Sequence, residues 1–205
     1  MRRLITTALL AALVAVSASI GRAATPVPPP LDSLFGGAFE LVNQDGMTVT
    51  DRDFRGRFML IYFGYTFCPD ICPYSLQTMT EALESVAPED TKKVQPIFVT
   101  IDPARDTPEF LKKYVALYGE NLIGLSGSEA QIRVAAKAYR IHRRKVIPAD
   151  LEDKNDYFVD HSSLIYLMSP DGKFLTFFPY DTDAVTMATT ITKYVLEMDS
   201  ALDGG

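Results

Sequence analysis

The chain has 205 residues, 47% of them hydrophobic, and a formal charge of −6. That apolar content is too high for a disordered chain, and the length fits one domain plus a short extra segment. The acidic balance argues against nucleic-acid binding, which needs a basic face. It also has only two cysteines, Cys68 and Cys72, and two histidines, His142 and His161, so few metal or thiol arrangements are open to it.

Residues 1–24 read as an export segment. Arg2 and Arg3 form a basic start, residues 4–20 are uncharged and rich in Ala, Leu and Val, and Gly21-Arg22-Ala23-Ala24 ends the run with small residues. A secretory signal peptide has this order of parts. Read instead as a retained anchor, the seventeen uncharged residues rise about 26 Å as a helix, slightly short of a hydrocarbon core of about 30 Å. Both readings stay open, and both put the globular part outside the cytoplasm, in the periplasm or anchored at the inner membrane facing it. Residues 25–35 form a linker stiffened by Pro26 and Pro28–Pro30. Residues 1–24 contain three arginines and no acid, so the remainder carries −9.

The folded part is expected over residues 36–198, with 199–205 as a tail. Residues 39–42 and 47–50 flank Asn43-Gln44-Asp45-Gly46, a hairpin signal. Residues 58–63 are an apolar run of strand length, expected as a buried central strand. Pro73 suits the first position of a helix running to about Val86. Residues 94–101 read as the next strand, interrupted by Pro96. Thr107-Pro108-Glu109 reads as cap, first-turn proline and first-turn acid of a helix to Tyr118. Ser128 and Gln131 form a capping box opening a helix to about Tyr139. Residues 163–168 and 174–178 are strands joined by Ser169-Pro170-Asp171-Gly172, and residues 183–198 are the last helix. Strands alternating with helices, then a closing hairpin and helix, predict an α/β fold with a mixed sheet.

The chemistry concentrates in Phe67-Cys68-Pro69-Asp70-Ile71-Cys72-Pro73. This loop joins a buried strand to a helix, at the carboxyl edge of the sheet where open α/β folds place their sites. Cys72 is expected at the helix N-terminus, where the dipole favours a thiolate. Thiolates select Cu(I), zinc and iron–sulfur centres, and two of them leave a copper or zinc site incomplete. A structural disulfide is the plainer reading, but so short a loop gains little closure entropy. Outside the cytoplasm the pair can be oxidised or reduced, so its redox state enters the mechanism.

His161, in Val159-Asp160-His161-Ser162, precedes a predicted strand. If that strand runs antiparallel to the first two, its start faces the cysteine loop, and Asp160 is placed to orient the ring. His142 lies in His142-Arg143-Arg144-Lys145, where neighbouring cations disfavour a metal, and reads as a solvated surface residue. Asp102-Pro103-Ala104-Arg105-Asp106-Thr107-Pro108 borders the same edge, with Arg105 bracing the loop against Asp102 or Asp106. Phe63, Tyr65 and Phe67 read as core and pocket wall.

Cys68-Pro69-Asp70-Ile71-Cys72-Pro73, then Asp102-Pro103-Ala104-Arg105-Asp106-Thr107-Pro108, then Asp160-His161, with Gly37-Ala38-Phe39 and Phe54-Arg55-Gly56 ahead of them, closely resemble the Sco/SenC family over about residues 36–197. The resemblance implies a thioredoxin-like fold with an N-terminal β-hairpin extension, and copper bound through Cys68, Cys72 and His161, with Asp160, Asp102 and Arg105 behind them. It further implies an exported factor that helps deliver copper to the dinuclear copper site of cytochrome c oxidase subunit II, with that subunit or another copper chaperone as partner. Proteins related to thioredoxin usually carry a cis-proline where this chain has Val159-Asp160-His161-Ser162, which favours a metal site over a general dithiol oxidoreductase. The expected function is thus a copper metallochaperone, holding Cu(I), or Cu(II) with an added oxygen ligand. The rival is an enzyme, a thiol–disulfide reductase using the redox-active pair Cys68 and Cys72; a copper or redox sensor is a third reading. A structural zinc site wants four protein ligands, and three are nameable.

Overall fold

The computed structural model describes residues 30, 33–148, 153 and 156–203. The expected export segment and all but Pro30 and residues 33–35 of the linker lie outside these. No helix among the described residues is long and apolar enough to cross a membrane.

Seven strands form one mixed sheet in the order β2-β1-β5-β4-β3-β8-β9. Its centre is β3 (Phe58–Gly64) paired in parallel with β4 (Val94–Thr100), which pairs in parallel with β5 (Ile123–Ser126). Every residue of β3 and β4 is buried, the pattern of a sheet covered on both faces. Pro96 is tolerated inside β4 because pairing with β5 begins only at Ile97. Its neighbour Gln95, also buried, donates its amide to the Asn121 carbonyl at 2.7 Å and accepts from Arg57.

The two flanks of the sheet are antiparallel. On one side β1 (Glu40–Asn43) pairs with β5 and with β2 (Thr48–Thr50). The turn between them is closed by the Asn43 side chain, which accepts the N–H groups of Asp45 and Met47, and by Gly46 at φ +80°. On the other side β8 (Leu164–Met168) runs antiparallel to β3 and to β9 (Phe174–Pro179). The start of β8 therefore lies beside the end of β3, the geometry that brings residues 161–163 to the cysteine loop.

The helices cover this sheet. The first, α1 (Ile71–Ser85), packs against the last, α5 (Ala184–Asp203), while α3 (Pro108–Val115) packs on β5 and α4 (Glu129–Ala138) on β1. Between α1 and β4 a single turn, α2 (Pro88–Thr91), was not expected. Thr107 accepts the Phe110 N–H, and Ser128 with Gln131 forms the capping box, both as the spacing predicts. Alternation along β3 sends Tyr62 to the α1 side and Phe63 to the other, where it meets Tyr139 and Tyr166.

Like α2, the short strand β5 has no counterpart among the expected elements, and three further parts of the chain depart from expectation. Helix α1 begins at Ile71, two residues before Pro73; a proline in the first turn removes only an N–H that would lack an intrahelical partner. Helix α5 continues past Met198 to Asp203, so residues 199–203 are helix, not tail, and Asp199 pairs with Lys93 at 2.6 Å. A separate two-stranded ribbon, β6 (Arg143–Val146) with β7 (Phe158–His161), occupies what read as a basic surface run and a lead-in to β8.

Candidate metal and thiol site

The cysteine loop leaves the sheet at Gly64. A Cβ there would stand 3.0 Å from Cys72 Sγ, 3.0 Å from Phe98 Cε2 and 2.8 Å from Tyr62 Cε1, so only glycine lets the thiol settle this close to the strand. Cys72 is consequently fully buried, while Cys68 is partly exposed. No side chain caps α1 in the usual way. The Cys72 N–H, in the first turn, instead donates to Cys68 Sγ at 3.4 Å, so a sulfur takes the place a capping oxygen would hold.

This arrangement reverses one expectation. The helix N-terminus supports charge on Cys68, not on Cys72. The Cys68 thiol is lowered to about 4, chiefly by a hydrogen bond from the Cys72 thiol, with His161 and the N–H groups of Asp70 and Cys72 adding to it against burial. Cys72 is pushed upward, by its hydrogen bond to Cys68, by burial and by the charge beside it. The two thiols titrate as a coupled pair, and their surroundings favour the proton on the buried sulfur.

His161, the last residue of β7, is partly buried and presents Nε2 3.6 Å from Cys72 Sγ. Its Nδ1 lies 3.0 Å from the Ser162 carbonyl. A carbonyl only accepts, so Nδ1 donates to it and Nε2 is the ring nitrogen turned toward the cysteines. Tyr65 and Tyr62 present ring edges to the imidazole at centroid distances of 5.9 and 6.4 Å. Two donors bound to one ion at zinc-like lengths of about 2.0 and 2.3 Å stand roughly 3.5 Å apart, close to the observed separation. Among the described residues, no three or more His, Cys, Asp or Glu are drawn into a closed metal cage; Cys68, at the helix entrance, is the donor left to complete a set with Cys72 and His161.

Asp160 does not orient the ring. Alternation along β7 sends its side chain to the face opposite His161, where its carboxylate lies 3.5 Å from Arg144 and 4.0 Å from Nε2 of His142. His142 is 66% exposed and stands away from the cysteines, as a solvated residue would.

The loop after β4 is built into the site. Asp106, fully buried, accepts the N–H and hydroxyl of Thr66 at 3.1 and 2.5 Å and the hydroxyl of Thr100 at 2.6 Å. Asp102 accepts Arg105 Nε at 2.5 Å and the Tyr157 hydroxyl at 2.7 Å. Phe63 is core and Tyr65 lines the imidazole, but Phe67 is 50% exposed and stacks on Phe110 at 5.6 Å. Sequence reasoning missed Gly64, Tyr62, Phe110 and Tyr157. Only Gly64 carried a local signal, a glycine closing an apolar strand just ahead of the cysteines.

A profile of the SCO1/SenC family matches residues 28–196. Protein sco1 of Schizosaccharomyces pombe is 42% identical over 162 residues, 78% of this chain and 61% of that protein. The chain spans about half to three fifths of the length of the first curated relatives it matches. Among solved structures, Bradyrhizobium japonicum ScoI with copper bound superposes with a TM-score of 0.70 at 41% identity, over 78% of this chain and 99% of that one. The structure of BsSco, described as having a disulfide switch and as a member of the Sco family of cytochrome c oxidase assembly proteins, matches at 28% identity with a TM-score of 0.62, over 83% of this chain and 98% of that one.

Proposed function

Since the chain belongs to the SCO1/SenC family, we propose that it is an exported copper-binding assembly factor, holding copper as cargo through Cys68, Cys72 and His161 for the dinuclear copper site of cytochrome c oxidase. The observation that carries this reading is the contact between Cys72 Sγ and His161 Nε2 at 3.6 Å, beside a Cys68 whose pKa its neighbours lower. Two sulfurs and one neutral imidazole nitrogen are soft to borderline donors, the set that suits Cu(I). Cys68 is the more accessible donor and the natural point of exchange with a partner's thiols. Cys72 and His161 are the inner pair that holds the site in place. Oxidation of the two cysteines to a disulfide removes both sulfur donors, so loading depends on the reduced state.

The partner we assign is the oxidase subunit that bears that copper site, or a second copper chaperone passing the metal on. Residues 1–24 serve as signal peptide or anchor and place the domain on the periplasmic side. Competition with a Cu(I) chelator tests the ligand set on the reduced protein: His161→Ala weakens binding by at least tenfold, while His142→Ala leaves it unchanged. Equal affinity in wild type and His161→Ala would remove His161 from the site.

A second reading is favoured by one feature, the low-pKa and partly exposed Cys68, which also suits a thiol–disulfide reductase acting on the partner's cysteines. The two separate at His161. A chaperone loses copper-site assembly in cells carrying His161→Ala, whereas a reductase keeps it.

A further inference from the structure

The two segments that bring the donors together come from distant parts of the chain, and one side chain lies between them. Arg105 places its guanidinium 3.8 Å from the ring centroid of Tyr157 and 4.6 Å from that of Phe67. Phe67 adjoins Cys68. Tyr157 is buried and opens the segment that becomes β7 and ends in His161. The arginine is itself fixed by Asp102, whose two carboxylate oxygens take Arg105 Nε and the Tyr157 hydroxyl. Asp102 is 1% exposed and is held in turn through its N–H by the Thr100 hydroxyl. A second cation, Lys145 Nζ of β6, lies 4.1 Å from the same Tyr157 centroid.

Cation–ring contacts are worth more when desolvated, and the Arg105 side chain is largely covered. A planar guanidinium can stack on rings while donating in its own plane; an ammonium cannot do both. The contacts therefore do more than stiffen the loop after β4. They tie the cysteine loop, at Phe67, to the histidine arm, at Tyr157, through one buried carboxylate.

We propose that Asp102, Arg105 and Tyr157 form a clamp that sets the position of His161 relative to the cysteines, with Tyr157 and Arg105 as positioning residues for the site. The clamp touches neither Cys68 Sγ nor the imidazole; it acts through the two segments that bear them. The affinity arm of its test rests on the copper reading above, and the other arm does not.

Tyr157→Phe removes the hydroxyl and keeps the ring, and Arg105→Met keeps the length and removes the charge. In the reduced, metal-free protein, the clamp predicts that both variants weaken the NOEs between the His161 ring and the Tyr65 and Tyr62 rings, while amide shifts along β3 and β8 stay in place. In chelator competition, each variant weakens Cu(I) binding by about 10-fold or more. In a His161→Ala background the same changes add no further loss, because the residue they position is gone. Equal losses in both backgrounds overturn the proposal, since the clamp would then act on the fold at large. If His161→Ala by itself leaves Cu(I) binding unchanged, the copper ligand set fails and the NOEs alone decide: weakened NOEs uphold the clamp, and NOEs at wild-type strength overturn it.

Discussion

Cys68 and Cys72 have identical side chains four positions apart, and their surroundings push their protons in opposite directions. Gly64 lets Cys72 sink against the sheet, where burial and a charged neighbour keep its proton on, while Cys68 stays at the helix entrance and collects hydrogen bonds. A depressed pKa leaves the thiolate present down to acidic pH. Alkylation of the reduced protein by iodoacetamide should therefore fall at Cys68 alone, with a rate that changes little between pH 8 and 6. An ordinary cysteine slows by about tenfold for each pH unit below its pKa of about 8.5. The plateau rate should be modest, because nucleophilicity falls with pKa. Peptide mapping that found Cys72 labelled first, or a rate rising steeply with pH, would reverse this assignment. The paired cysteines and His161 could be picked out from spacing and residue type. Which sulfur carries the charge could not, because that depends on a strand glycine and on rings contributed by β3 and β4. Asp160 was misread for a simpler reason: successive residues of a strand face opposite ways, and the strand β7 leaves no alternating apolar trace in the sequence.

At the level of elements, the loop after β4 holds the cysteine loop through Asp106. Its carboxyl is pushed upward by burial, opposed by hydrogen bonds from Thr100 and Thr66. Asp106→Ala would leave the Thr66 N–H and two hydroxyls without an acceptor, at about 1–3 kcal/mol for each buried group. Urea unfolding should show a loss of about 2–4 kcal/mol; a loss below about 0.5 kcal/mol, the range of ordinary surface changes, would mean that the two loops are not held together there. The long elements were legible because apolar runs and caps mark them: β3, β4, α3 and α4 all sit within a few residues of their expected bounds. The ribbon of β6 and β7 was not. Arg143-Arg144-Lys145 shows no apolar alternation, and β7 buries only Val159 deeply. Its stability comes from pairing and from Tyr157, neither of which leaves a periodic trace.

For the molecule as a whole, the sheet order explains why one edge gathers everything. β3 and β4 end there and β8 starts there, so the cysteine loop, the Asp102–Asp106 loop and the histidine arm converge although they are far apart in sequence. Cys72 and His161 are 89 residues apart, whereas the two cysteines are four apart and remain neighbours in an unfolded chain. An ion held by the cysteines alone can bind folded and unfolded chains alike and shift their balance little. An ion that also requires His161 binds only where the sheet has formed, and contributes about 4 kcal/mol of stability at a thousandfold excess over its Kd. Calorimetry of the reduced protein should therefore show Cu(I) raising Tm by several degrees in the wild type and far less in His161→Ala; equal rises would mean that the histidine adds nothing to the cross-link. Seen this way, the site acts as a fastener across the sheet, and releasing the cargo leaves the chain easier to open than it was when loaded.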